Sequence, residues 1–275
     1  MSKKRFRVSL AVFISLIVIL LIGIIVCGAP GEKDESIKEV MRDAVLHESG
    51  KIDLFGITVN PGLVSAYAVT GMLLLAAVLL RIFAVPRFKK VPTGIQTVLE
   101  AAVSLFDGMA TEKSPHRHRF LSAYIFTAGA YVCLGTIFEL FGFQAATVSG
   151  ASVSLPAPLS DINGAIGMGL FSYGVILIGG LVSAGPSGAL KALKDFSLPI
   201  SMSFRLFGAL LSGALVTELV YYYFTLSFVL PVIVGILFTL IHAVIQAYVL
   251  TMLTAQFYGE STEKKQKTKN KPKEV

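Results

Sequence analysis

Leu198-Pro-Ile-Ser-Met-Ser-Phe-Arg-Leu-Phe-Gly-Ala-Leu-Leu-Ser-Gly-Ala-Leu-Val216 has the length and hydrophobicity of a membrane helix, yet it carries Arg205. From Phe196 to Gly259 the only formally charged side chains are Arg205 and Glu218. An arginine at the centre of a membrane helix costs roughly 2.5–3.5 kcal/mol even on the mildest insertion scale, so it faces protein or water and has a task. Its guanidinium stays protonated, which makes it a fixed cation and not a proton carrier. Such a cation in an ion path attracts a carboxylate, drives off its proton and blocks leakage. The expected activity is transport.

Composition supports this. Hydrophobic residues make up 54% of the 275-residue chain and charged residues 15%, with a mean hydropathy of +0.74. These values exclude an ordinary soluble domain and point to an all-α, polytopic membrane protein. Cys27 and Cys133 both lie in apolar segments, which argues against a disulfide framework. The net charge of +7 is concentrated at the ends, in Lys3, Lys4, Arg5, Arg7 and six lysines after Gly259. Basic ends beside apolar spans read as cytoplasmic flanks on anionic lipid, not as a nucleic-acid surface.

A spanning length of about 20 residues gives six passages: Val8–Val26, Leu63–Val85, Phe120–Phe143, Ile162–Ala184, about Pro199–Phe224 and about Leu230–Tyr258. Residues 28–60 form a polar segment with seven acids against four Lys/Arg. Thr93–Met109 has Ile95, Val98, Leu99, Ala102, Val103 and Phe106 at helical spacing, which predicts a helix lying along the membrane surface. The resulting division is an N-terminal helix in 1–27, an outer polar segment in 28–60, a channel domain in 61–258 and a basic tail in 259–275. With both termini inside, the basic segments 86–119, 185–197 and the tail all fall on the cytoplasmic side, as the positive-inside rule requires. Val8–Val26 is read as a retained helix. A signal peptide is the alternative, although Val26 is bulky before Cys27 and no small-x-small pattern precedes it.

Two further features carry chemistry. At about 100° per residue, Arg205 shares a helix face with Ala209, Ser212, Gly213 and Val216, and small residues on that face let another helix approach closely. On the last helix, Thr239, His242, Gln246 and Thr254 form a loose polar stripe beside Gly235 and Ala243. His242 is either a packed, hydrogen-bonded residue or a relay that titrates near neutral pH. Glu139 is either a boundary residue or an acid on an outer ion route. Asp161, in Ser160-Asp-Ile-Asn163, is cap-like as well as acidic. No Walker loop, metal-ligand cluster or nucleophile constellation is present in the sequence.

Ser201–Gly213 with its Arg-Leu-Phe-Gly core at Arg205–Gly208, followed by Ile241–Thr254 with Gln246-Ala-Tyr248, resembles subunit a of F-type ATP synthases. The resemblance runs from about Ile52 to Tyr258 and includes Val91–Glu100, Phe138-Glu-Leu140 and Pro158–Asn163. It implies a stationary ion channel whose C-terminal helical hairpin packs against a rotary c-ring, with Arg205 as stator charge and Gln246 as its polar neighbour. It further implies Ala209, Ser212 and Gly213 as ring contacts, and Glu218, His242, Gln246, Glu139, Asp161 and Asn163 along the ion pathway. Also implied are the peripheral-stalk subunit b and membrane lipid as partners, H⁺ or Na⁺ as the transported ion, no cofactor or metal, and a place in the cell's inner membrane. The family often has an asparagine after this core and an acid five residues further; here they are Ala209 and Ala214. The family's usual histidine or acid seven residues before the glutamine is Thr239. Glu218 and His242, each displaced toward the C-terminus, are expected to take over that pair's function, bridged by water. Glu218 is thirteen residues from Arg205, about 20 Å along a helix, so the two form no ion pair. The competing class is a self-contained channel or secondary transporter in which Arg205 binds an anionic substrate, but the chain shows no internal repeat. A purely structural scaffold leaves Arg205 without a role.

Overall fold

The computed structural model describes residues 15, 18, 22, 36–46, 52–54, 57–92, 94–146, 152–222 and 230–263. Among these are eight α-helices, α1 (Ile37–Leu46), α2 (Pro61–Leu79), α3 (Ile95–Lys113), α4 (His118–Phe138), α5 (Ile162–Ala184), α6 (Pro186–Lys194), α7 (Ser197–Tyr222) and α8 (Leu230–Thr262). Five spans, on α2, α4, α5, α7 and α8, are long and apolar enough to cross a membrane, which makes this an all-α multi-pass membrane protein. The predicted first passage, Val8–Val26, lies almost entirely outside the described residues. α3 begins two residues later and ends four later than the expected surface helix.

α2 starts at an N-cap, where the Asn60 side chain accepts from the Gly62 amide at 3.0 Å and Pro61 occupies a first-turn position that needs no N–H. Its far end rewinds into a π-turn, Leu80–Ala84, and a 3₁₀ turn, Val85–Arg87. Pro86 cannot donate to the helical ladder there, so the hydrogen bonds rearrange around it. The connection to α3 is held by Gln96: its amide nitrogen donates to the Lys89 carbonyl at 2.8 Å, and its amide oxygen accepts from the Lys89 N–H at 3.0 Å.

α8 is the hub of the bundle. It packs along α4, α5 and α7 and touches α3 and α6 at its C-terminal end. Leu121, Ile125, Ala128 and Val132 present one face of α4 to the core that Ala247, Leu250, Ala255 and Tyr258 of α8 share. Close approach is possible because the facing positions are small: a methyl at Gly129 would lie 3.0 Å from both Thr251 and Phe106. Gly179 faces the Tyr258 ring, and Gly259 faces the Lys113 carbonyl. Between α5 and α6 the chain reverses at Gly185 (φ +67°), a left-handed backbone that favours glycine. Gly180 and Gly188 then meet backbone to backbone, with Ser261 against both. Hydroxyls within the spans return their protons to their own helices, as in Ser203 to Pro199, Thr217 to Gly213, Thr251 to Ala247 and Thr254 to Leu250. That satisfies each polar group where lipid offers no partner.

One end of the bundle carries Lys113, Arg117, Lys191 and Lys194; the opposite end carries Glu139, Asp161 and two small hairpins. The expected loop between α4 and α5 contains one of these, Gln144–Ala146 paired antiparallel with Ser152–Ser154. The other pairs Ile52–Leu54 with Ile57–Val59. α1 lies against α7.

Gly180→Ala places a methyl 2.9 Å from the Gly188 carbonyl oxygen. It is expected to destabilise the chain by about 1–3 kcal/mol, as overpacking does. Gly174→Ala, with nothing within 4 Å, should be neutral in the same thermal-aggregation assay. Asp161→Ala should cost about 0.5–2 kcal/mol by uncapping α5, and Asp161→Asn should recover most of that, because the cap needs an acceptor and not a charge.

Candidate functional site

The site is built on α7 and α8, which run side by side. On α7, Met202, Ser203, Leu206 and Leu210 are buried against the bundle, whereas Ser201, Phe204, Arg205, Gly208 and Ser212 are exposed. Ala209 and Gly213 are intermediate. On α8, Ala243, Gln246, Ala247 and Leu250 turn inward, and Ile241, Ile245 and Tyr248 turn outward. The two helices therefore present a common outer wall, apolar but for Arg205 and a few hydroxyls. Phe204 is 63% exposed on this wall and Leu210 only 7% on the other face.

Arg205 and Gln246, far apart in sequence, line one small cavity with Met202, Leu206, Val249, Leu250 and Leu253. Among the described residues no carboxylate lies within ion-pairing distance of Arg205. The Gln246 amide oxygen is buried without a hydrogen-bond partner. A cation without a carboxylate in reach and a buried acceptor without a donor thus lie around one cavity.

Three cavities follow the α7–α8 seam. The largest, about 330 Å³, lies at the basic end and is lined by Tyr173, Lys191, Lys194, Asp195, Glu260 and Ser261, with Leu198 of α7 and Phe257 of α8 among its walls. The Lys191 ammonium donates to the Glu263 carbonyl at 2.8 Å, placing a cation on the carbonyl end of α8. Next along the seam comes the Arg205–Gln246 cavity, about 10 Å³. Beyond it, toward the other end, Glu139, Ala209, Leu210, Gly213, Ala214, Thr217, Phe238, Thr239 and His242 line a half-open space of about 20 Å³. A single water needs at least about 10–15 Å³, so the Arg205–Gln246 cavity has room for about one water at most.

This last cavity brings Glu139 and His242 together. The His242 ring stacks on Phe238 at 5.5 Å and 17°, and its Nδ1 lies 2.7 Å from the Phe238 carbonyl oxygen. A carbonyl only accepts, so Nδ1 carries a proton in this contact. Glu218 is half-buried but is not among the residues around His242; its neighbour Thr217 is. Asp161 accepts from the Asn163 amide at 2.9 Å and from the Asn163 side chain at 3.2 Å, which makes it the N-cap of α5. Neither residue lines the three cavities.

The sequence did not point to the shared cavity of Tyr173, Lys191, Asp195 and Glu260. They come from four segments with no common spacing. It also missed that Ala214, Thr217 and Thr239 share the cavity of Glu139 and His242. Helical phase offers a signal for Thr217, which shares a face with Gly213 and Ala214.

The profile of the family described as "ATP synthase A chain" matches residues 66–259. Among curated relatives, the ATP synthase subunit a of Cereibacter sphaeroides (strain ATCC 17025 / ATH 2.4.3) is 26% identical over 210 residues, covering 72% of this chain and 80% of the relative. The ATP synthase subunit a of Streptococcus pyogenes serotype M5 (strain Manfredo) is 27% identical over 229 residues, covering 76% and 94%. The matched region holds Arg205, Gln246 and all five spans save the first few residues of α2 and the last of α8, and on this ground the chain belongs to the ATP synthase A chain family.

Proposed function

We propose that this chain is the stationary ion-conducting subunit of a rotary ATP synthase, working against a ring of carboxylate-bearing rotor subunits. The observation that carries this reading is the placement of Arg205: exposed on an apolar wall, without a counter-ion, between two cavities at opposite ends of one helix seam. A self-contained transporter would turn its substrate-binding arginine into the chain, whereas this one faces outward.

The mechanism follows from charge. An ion enters through the cavity of Glu139 and His242, neutralises a rotor carboxylate, and is carried round with the ring through lipid. On its return the carboxylate releases the ion into the vestibule at the basic end and meets Arg205 ionised. A cation beside a carboxylate favours its charged form, and the Gln246 amide supplies a polar neighbour. The narrow cavity and the fixed charge together prevent direct leakage between the two sides. At a potential of 100 mV each elementary charge moved across supplies about 2.3 kcal/mol. Residues 61–258 are the channel domain and 259–275 a basic tail. The basic end faces the cytoplasm, with both termini on that side of the cell's plasma membrane. The peripheral-stalk subunit b is a second partner.

Arg205→Ala is expected to abolish ATP-driven ion pumping and ATP synthesis in an assembled complex. Arg205→Lys should fail too, because a compact ammonium lacks the planar fork and can lose its proton. Both are measured in inverted membrane vesicles, and normal coupled synthesis with Arg205→Ala would sink the assignment. Cysteines at Ala209, Ser212 or Gly213 should crosslink to the rotor's outer helix, and one at the inward-facing Leu210 should not. Equal crosslinking from both faces would place α7 wholly within its own subunit.

A further inference from the structure

We infer that α1 is a bearing surface for the rotor at the end of α7 opposite the basic one; this rests on the reading of the chain as the rotor's stationary partner. The wall that α7 turns outward stops short. At about 100° per residue, Ser201, Phe204, Arg205, Gly208, Ser212, Leu215 and Leu219 fall on one stripe. Its members up to Ser212 are exposed, whereas Leu215 and Leu219, with Val216 beside them, are half-buried. The face of α7 committed to the bundle lies on the other side, at Met202, Ser203, Leu206 and Leu210. Besides α5 and α8, the described elements packed on α7 are α1 and the 3₁₀ turn Pro158–Ser160. That turn is part of the core, where Leu159 is buried. The cover over the last two turns of the stripe is therefore α1.

The sequence builds α1 for this seat. The Ser36 hydroxyl accepts from the Lys38 N–H at 3.3 Å, and the Glu39 carboxylate accepts from the Ser36 N–H at 3.3 Å, a capping box that fixes the first turn. Ile37, Val40, Met41, Ala44 and Val45 recur at helical spacing, and Lys38, Glu39, Arg42 and Asp43 occupy the opposite arc. Ile37 and Met41 are half-buried, while Lys38, Glu39 and Arg42 are exposed. The apolar arc is turned to the protein and the polar arc away from it. α7 has 26 residues, about 39 Å at 1.5 Å per residue. Its last two turns thus reach the edge of a hydrocarbon layer about 30 Å thick, where an amphipathic helix belongs.

What α1 turns outward identifies the occupant. A bare apolar stripe is at home in hydrocarbon and needs no cover there. A helix with a polar outer arc suits a neighbour that leaves the layer at the same level, and α1 continues the wall read as facing the rotor. A rotor helix rising along Ser201–Ser212, about 17 Å of α7, meets α1 at its end. The two cations and two acids of the polar arc, Lys38 and Arg42 with Glu39 and Asp43, sum to no net charge. Such a surface holds charge of neither sign strongly, so successive rotor subunits pass it without being trapped.

The test is disulfide crosslinking in the intact complex in inverted vesicles, with Cys27→Ala and Cys133→Ala as background and cysteines scanned along the rotor's outer helix. Lys38→Cys and Arg42→Cys should each join the rotor helix at its end opposite the basic one, and Ser212→Cys should join it nearer the middle. Leu219→Cys should give a rotor product about a tenth as strong as Ser212→Cys, because α1 holds the rotor off by a helix diameter of about 10 Å. It should pair instead with Met41→Cys within the chain. Met41→Asp sets an acid against apolar α7, and by undocking α1 it should raise the Leu219→Cys rotor product about tenfold and abolish that of Lys38→Cys. Where Met41→Asp lowers assembly, the comparison of Lys38→Cys with Leu219→Cys in the chain without it decides alone. A Leu219→Cys rotor product as strong as that of Ser212→Cys, or none from Lys38→Cys and Arg42→Cys, would overturn the bearing; a Ser212→Cys product would leave the rotor reading standing. No rotor product from any position, Ser212→Cys included, would remove both.

Discussion

Close contact between helix backbones at the basic end of α8 fixes the frame on which everything else is hung. In lipid there is no hydrophobic force between apolar helices, so association depends on van der Waals fit, and fit depends on small residues at the crossings. Gly179 accepts the Tyr258 ring, Gly180 and Gly188 meet with Ser261 between them, and Gly259 lies on the Lys113 carbonyl. Ser261 donates to the Ile176 carbonyl at 3.3 Å, and the Ser114 and Thr262 hydroxyls lie 3.2 Å apart. These contacts clamp the last two turns of α8 from α3, α5 and α6 at once. The outward half of the helix, with Gln246 and His242, projects from that clamp toward α7.

The site inherits its asymmetry from this arrangement. One face of α7 is committed to α5, where Gly169 admits Ser203 and the Pro199 carbonyl, and α8 covers the next. What remains uncovered is the face bearing Phe204, Arg205, Gly208 and Ser212. An arginine would be expected to bury its charge against an acid if one were in reach. No described acid is, and the guanidinium stays available. Lys191, by contrast, spends its charge on the carbonyl end of α8, and Asp161 spends its own on the amide end of α5. Three charged residues that look alike in a hydropathy profile thus divide into two fixed structural uses and one open one.

Much of this was legible from hydropathy, because crossing lipid demands long unbroken apolar helices. Ile162–Ala184 has the same limits in sequence and structure, and the start of α8 falls at Leu230 as expected. Arg205 and Gln246 stood out because polarity inside a span is expensive. The hairpins were not legible: three-residue strands that pair only with each other carry no usable period. Neither was the membership of the cavity around Glu139 and His242. One residue of helix is about 100° of rotation, so Thr217 and not Glu218 lines the cavity of His242, and the acid beside it there, Glu139, comes from the end of α4.

α8 runs for 33 residues, about 50 Å at 1.5 Å per residue, against a hydrocarbon layer about 30 Å thick. A helix so much longer than the layer is accommodated by tilt or by a projecting end. A tilt would carry the seam with α7 along with it, so that the cavities at its two ends would be offset sideways as well as in depth. A straight passage along the membrane normal would then join neither to the other, and excess helix length, an ordinary hydrophobic mismatch, would turn a difference in depth into a sideways step.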